Sequence, residues 1–70
     1  MEYLVVLFPR SRRVKINGEF QGRTGELIEL EGGKYTVSLG PPSTFRPASR
    51  TVDLHNTSAL APMTIRFEED

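Results

Sequence analysis

Residues that break or reverse a chain recur along this sequence too closely for a helix to grow. Pro9, Asn17-Gly18, Gly25, Gly32-Gly33, Gly40-Pro41-Pro42, Pro47 and Asn56 punctuate it. The segments between them are rich in β-branched and aromatic residues, and no window sustains a 3.6-residue apolar period. The whole chain holds only three alanines and two lysines, so helix propensity is low as well. Short strands separated by regularly spaced turns predict an all-β fold. The expectation is a small antiparallel β-sandwich, prealbumin-like, of about six or seven short strands, with residues 1–70 as a single domain.

Size sets the next bound. A chain of 70 residues that is 37% apolar can fill one thin core. At ~25 cal/mol per Å² buried against ~1.5 kcal/mol of ordering entropy per residue, such a chain sits close to balance. Cysteine is absent, so no disulfide reinforces the core and no thiolate can ligate metal or attack a substrate. Nine basic and nine acidic side chains cancel, which argues against a strongly basic nucleic-acid binder and against an acidic disordered chain. The longest apolar run, Tyr3 to Phe8, falls far short of the roughly 20 residues needed to span a bilayer. Membrane insertion is not expected. The chain reads as cytoplasmic, or as a domain from a larger exported protein in the cell envelope or outside the cell, and as a monomer in isolation.

Strand positions follow from alternation. Ile28 and Leu30 alternate with Glu29 and Glu31, a period of two that places a strand rather than a helix after Gly25. Paired glycines at Gly32-Gly33 predict a tight hairpin, setting Glu31 against Lys34, Leu30 against Tyr35 and Ile28 against Val37. At Asn17-Gly18 a two-residue loop would set Lys15 against Phe20 and mix the faces. A three-residue loop with a bulge at Gly18, pairing Lys15 with Glu19 and Val14 with Phe20, is therefore expected. Arg50–His55 buries Val52 and Leu54, and Met63–Phe67 buries alternate residues. The Tyr3–Phe8 strand is apolar on both parities, so it belongs in the middle of a sheet or beneath a covering strand. Gly40 to Pro47 reads as a rigid loop, and Glu68-Glu69-Asp70 as a solvated tail.

The order of these features resembles the PEGA domain family of bacterial and archaeal β-sandwiches. Asn17-Gly18-Glu19, Gly22-Arg23-Thr24 and Gly33-Lys34-Tyr35-Thr36-Val37 carry the likeness, which extends over roughly residues 4 to 67. The stretch corresponding to Pro-Glu-Gly-Ala reads Pro9-Arg10-Ser11-Arg12. The resemblance implies a non-catalytic binding module, often part of an envelope or surface protein and sometimes contacting carbohydrate.

Candidate chemistry is sparse. The only histidine, His55, shares a strand face with Asp53. Two groups do not make a metal or acid–base site without further converging ligands, so neither enzyme activity nor a metal or other cofactor is expected. Arg10, Arg12, Arg13 and Lys15 form the one uneven charge cluster. It fits a solubilising edge or, as the alternative function, a small barrel holding nucleic-acid phosphates. Phe45 and Arg46, in the proline-stiffened loop, are the better candidates for contacting a protein or glycan. Phe45 also has a purely structural use, as a plug for the open end of the sandwich. Partner contact through unpaired edge strands is the last option.

Overall fold

The computed structural model describes all of residues 1–70, and the chain is built of strands throughout. Seven carry the fold: β1 (Glu2–Leu7), β2 (Arg13–Ile16), β3 (Glu19–Arg23), β4 (Leu27–Leu30), β5 (Gly33–Leu39), β7 (Arg50–Leu54) and β8 (Met63–Arg66). Two more, β6 (Phe45–Arg46) and β9 (Glu68–Glu69), are two-residue ribbons. They form a three-stranded sheet ordered β4-β1-β8, a four-stranded sheet ordered β3-β2-β5-β7, and the small β6-β9 pair. The two larger sheets face each other over twelve buried apolar residues, among them Leu4, Val6, Val14, Val37, Leu54 and Phe67. Here the all-β sandwich is as the turn spacing predicts.

β1 is the middle strand of its sheet, as its two apolar parities require. Leu4 and Val6 are fully buried, while Tyr3, Val5 and Leu7 point outward and are half-buried. Its ladder with β4 is antiparallel, but its ladder with β8 is parallel, pairing Leu4 with Met63 and Leu7 with Arg66. A parallel neighbour has to arrive by a crossover, and residues 55–62 provide one by carrying the chain from β7 back to the other sheet. That crossover is clamped to β1. The Thr57 backbone N–H and hydroxyl donate to Glu2 Oε1 at 2.9 and 2.5 Å, and the same hydroxyl accepts from the Tyr3 N–H at 2.8 Å. The hydroxyl bond from Thr57, followed by its backbone bond, holds the Glu2 carboxyl below its ordinary value.

Both predicted turns are corrected. β4 and β5 do not form a hairpin: β4 pairs with β1 and β5 with β2 and β7, so Gly32-Gly33 carries the chain from one sheet to the other. Ile28, Leu30 and Val37 are all buried, but from opposite layers, and Lys34 lies across from Asp53 rather than Glu31. Matching faces do not distinguish a hairpin from an arch between packed sheets; here β4 joins β1 in one layer and β5 joins β2 and β7 in the other, with the buried side chains of both meeting between them. At Asn17-Gly18 the loop has two residues, both at positive φ (52° and 84°), the backbone of a type I′ turn. Ile16 faces Glu19 and Lys15 faces Phe20. The irregularity falls further along, between the Lys15–Phe20 and Arg13–Arg23 pairs, where Gly22 has a φ of 81°. The faces therefore do mix: Phe20 is turned outward and 46% exposed, and only after Gly22 does the chain turn back to bury Thr24.

Thr24 fastens that corner. Its hydroxyl accepts from the Arg12 N–H and donates to the Arg10 carbonyl, both at 3.0 Å, while its own N–H donates to the Arg12 carbonyl at 2.9 Å.

Two of the left-handed glycines, Gly18 and Gly22, should respond differently to alanine. Gly18→Ala meets nothing within 4 Å, so its loss is the backbone cost alone, about 1–2 kcal/mol. Gly22→Ala has the same backbone cost and also brings a methyl to 2.8 Å from Ile28 Cγ1. Denaturant unfolding should rank it clearly below Gly18→Ala. The Glu2 clamp has a defined pH sense. Because folding lowers the Glu2 pKa, its stabilisation is complete above the ordinary carboxylate value and is lost as pH falls through the folded value. In Thr57→Val, a carboxyl NMR titration should show Glu2 moving up toward that ordinary value.

Candidate functional site

The candidate residues gather mostly at one corner, where β6 and β9 pair. Phe45 faces Glu69 across this ribbon and Arg46 faces Glu68, and the Asp70 N–H donates to the Thr44 carbonyl at 3.1 Å. The acidic end of the chain is thus a strand rather than a solvated tail. Its pairing follows from charge: three carboxylates lie against the arginines of the predicted binding loop and basic cluster. Arg10 Nε donates to Glu69 Oε2 at 2.9 Å, and Arg46 lies 3.8 Å from both Glu68 and Asp70. The hydrogen bond that Arg10 donates to Glu69, and the charge of that carboxylate, raise the Arg10 pKa above its already high value, so Arg10 stays charged. These pairs are exposed and bring little stability individually.

Arg12 has a different role. Its Nη2 donates to the Gly40 carbonyl at 2.9 Å and to the Pro42 carbonyl, and its Nη1 reaches Thr44 Oγ1 at 3.4 Å. The guanidinium carbon lies 5.3 Å from the centroid of Phe8 and 5.7 Å from that of Phe45. A planar five-donor fork suits a loop that presents several carbonyls at once, so Arg12 holds Gly40–Thr44 in place. Phe45 is half-buried and meets Phe67 edge to face, with centroids 5.7 Å apart. With Phe67 at one side and Arg12 beside it, the ring closes the core, as the plug reading anticipated. Its capacity to stack on a sugar is correspondingly reduced.

Arg13 stands apart from this corner. It lies on the outer face of the four-stranded sheet with its guanidinium 3.8 Å from the Phe20 centroid, and Lys15 Nζ is 5.8 Å from the same ring. The basic cluster is therefore split into two environments by the alternation of the chain. Facial consistency in the sequence argues against pairing Lys15 with Phe20, and so hides Phe20 as the partner of Arg13. Sequence reasoning also misses Arg66 and Glu68, which line a shallow depression with Arg46 and Pro47. The complementary signs of the terminal acidic run and the arginine cluster were the available signal.

His55 Nδ1 and Asp53 Oδ1 lie 3.7 Å apart, both well exposed. No three His, Asp or Glu side chains converge in a way that would hold a metal ion. No helix of the chain is long and apolar enough to cross a membrane. No family model, no curated protein and no solved structure matches the chain.

If Arg12 secures the loop, Arg12→Ala should destabilise the domain by about 1–3 kcal/mol, since it removes charged donors from several carbonyls. Arg13→Ala loses a surface cation–aromatic contact worth less than about 1 kcal/mol. Denaturant melts of the two variants compare them directly. Arg12→Lys should recover little, because an ammonium cannot span the same carbonyls.

Proposed function

We propose that this domain is a non-catalytic binding or spacer module that contacts a protein partner at the β6-β9 corner. The observation that carries the reading is the corner's construction. Arg46 is exposed on a two-residue strand, flanked by Pro47, Arg66 and Glu68 around a shallow depression, while Arg12 and Phe45 hold the loop beneath it. A preorganised loop bearing mixed charges offers register and specificity to another protein without a large ordering cost. Carbohydrate is the weaker choice, since the one aromatic ring of the loop is engaged in the core. The likeness to PEGA domains supports placing such a module within a larger envelope or surface protein.

A second reading has its own observation. Arg13, Lys15 and Phe20 lie together on an exposed sheet face, the pairing of cations and an aromatic that engages single-stranded nucleic acid. Arg10 and Arg12, the other members of that cluster, are directed to Glu69 and to the 40–44 loop.

An amide-shift NMR titration separates the readings. The labelled domain is offered an acidic and a basic peptide, a short oligonucleotide and an envelope polysaccharide in turn. Shifts centred on residues 43–48 and 66–69 with a peptide are expected. Shifts at residues 13–23 with the oligonucleotide, weakening as salt rises, would replace the first reading with the second. Polysaccharide-specific shifts at 43–48 would keep the site but change its ligand. Silence from every probe would leave the spacer role.

A further inference from the structure

The outer face of the β4-β1-β8 sheet is apolar and has nothing packed on it. Cross-strand registry places Val5 between Leu27 and Thr64, Tyr3 beside Glu29, and Leu7 beside Arg66, all on the side opposite the buried Leu4, Val6, Ile28 and Ile65. Leu27 is 47% exposed, and Tyr3, Val5 and Leu7 are each half-buried, neither enclosed in the core nor fully open. The outer face of the other sheet is unlike it. There the central strand β5 presents Lys34, Thr36 and Ser38, flanked by Lys15, Thr51 and Asp53.

Two unpaired charges frame the apolar stripe at opposite corners. Glu29 lies on β4 at the level of Tyr3, and Arg66 on β8 at the level of Leu7. Both are exposed, and neither takes part in the chain's ion pairs, which join Arg10 to Glu69, Arg46 to Glu68 and Asp70, and His55 to Asp53. An acid and a base set diagonally across an apolar centre form a self-complementary pattern. Take a two-fold axis lying between two such faces, passing over Val5 and perpendicular to the Glu29–Arg66 diagonal. It lays Glu29 of each copy over Arg66 of the other and Val5 over Val5. Interfaces of this isologous kind repeat each contact twice. Strand spacing of ~4.8 Å and rise of ~3.3 Å make the strands of the two copies cross steeply, nearer the orthogonal than the aligned class of sheet packing.

We infer that this face is a homodimer interface, occupied by a second copy of the same chain and centred on Val5, with reciprocal Glu29–Arg66 pairs at its rim. Three strands of about five residues cover only roughly 250 Å² of projected sheet. The interface therefore falls below the standard size class, and the association is weak and concentration-dependent.

Sedimentation velocity of the full chain from roughly 10 μM to 1 mM tests this, since small interfaces dissociate within that range. The sedimentation coefficient should rise toward that of a dimer, and Leu27→Lys should hold it at the monomer value. Glu29→Arg and Arg66→Glu, each of which sets like charges against each other twice per dimer, should each weaken association at least tenfold. An equimolar mixture of these two variants restores both pairs, and because only mixed dimers form it should associate to within about twofold of the parent at the same total concentration. Circular dichroism of each variant checks that the strands are intact. A parent chain that stays monomeric to about 1 mM overturns the inference and leaves the face to a different partner or to none. So does association that is indifferent to Leu27→Lys, or a charge-swapped mixture that fails to recover.

Discussion

The fold depends on the apolar inward side of one central strand, β1. β1 lies in the middle of its sheet between β4 and β8, and its inward side chains Leu4 and Val6 are fully buried. Covering Leu4 and Val6 takes a second layer, and in 70 residues the chain can supply it only by passing repeatedly between sheets. The passages after β1, β3, β4 and β7 are the result, and each lies where turn-forming residues interrupt the strands. Placing β4 and β8 on the two sides of β1 sends the chain across the end of the sandwich, which is why one ladder of an otherwise antiparallel fold is parallel. Thr57 and Glu2 then tie that crossing to the first residues of β1. With twelve core residues, few such fastenings can be lost.

Charge is organised by the same alternation. Arg12 and Arg13 are consecutive, so their side chains leave the strand region in opposite directions. One enters the corner, where Phe8, Phe45 and the 40–44 carbonyls receive it, and the other reaches the open sheet face over Phe20. A run that looks like one basic patch in sequence thus has two environments in space. The acidic residues at the end of the chain do the complementary work, satisfying Arg10 and Arg46 and closing β9 onto β6. The ion pairs of this corner are mostly exposed and therefore salt-sensitive.

Much of this was legible in the sequence, and the failures have physical causes. Strand positions, the central place of β1 and the inward sides of β7 and β8 all follow from apolar alternation, which depends on local geometry alone. What alternation does not encode is which strand lies beside which. Ile28, Leu30 and Val37 satisfy a hairpin and a two-layer arch equally well, and the choice between them rests on which strands pair, β4 with β1 and β5 with β2 and β7, which alternation leaves open. The Asn17-Gly18 loop shows the opposite error. Its dipeptide chemistry favours a two-residue turn against facial consistency, and the turn chemistry prevails because Gly22 restores the faces a few residues later. At the candidate site, the loop and its arginines were legible as residue types. Their partners were not, because Glu68, Glu69 and Asp70 are more than twenty residues distant from Arg46 and more than fifty from Arg10.

The two outer faces of the sandwich allow folding requirements to be separated from others. At the centre of one sheet β5 turns Lys34, Thr36 and Ser38 to solvent, and the strand forms and packs with Val37 and Leu39 buried on its other side. Central position therefore requires apolar residues on the inward parity only. β1 occupies the matching place in the opposite sheet with Tyr3, Val5 and Leu7 outward, and no neighbouring element covers them. Threonine or lysine there would satisfy the same ladder and lower the hazard of an exposed apolar face. The side chains that alternate with Leu4 and Val6 are thus apolar for a reason outside the monomer's own core. A reciprocal contact framed by Glu29 and Arg66 supplies that reason from the residues on the face itself.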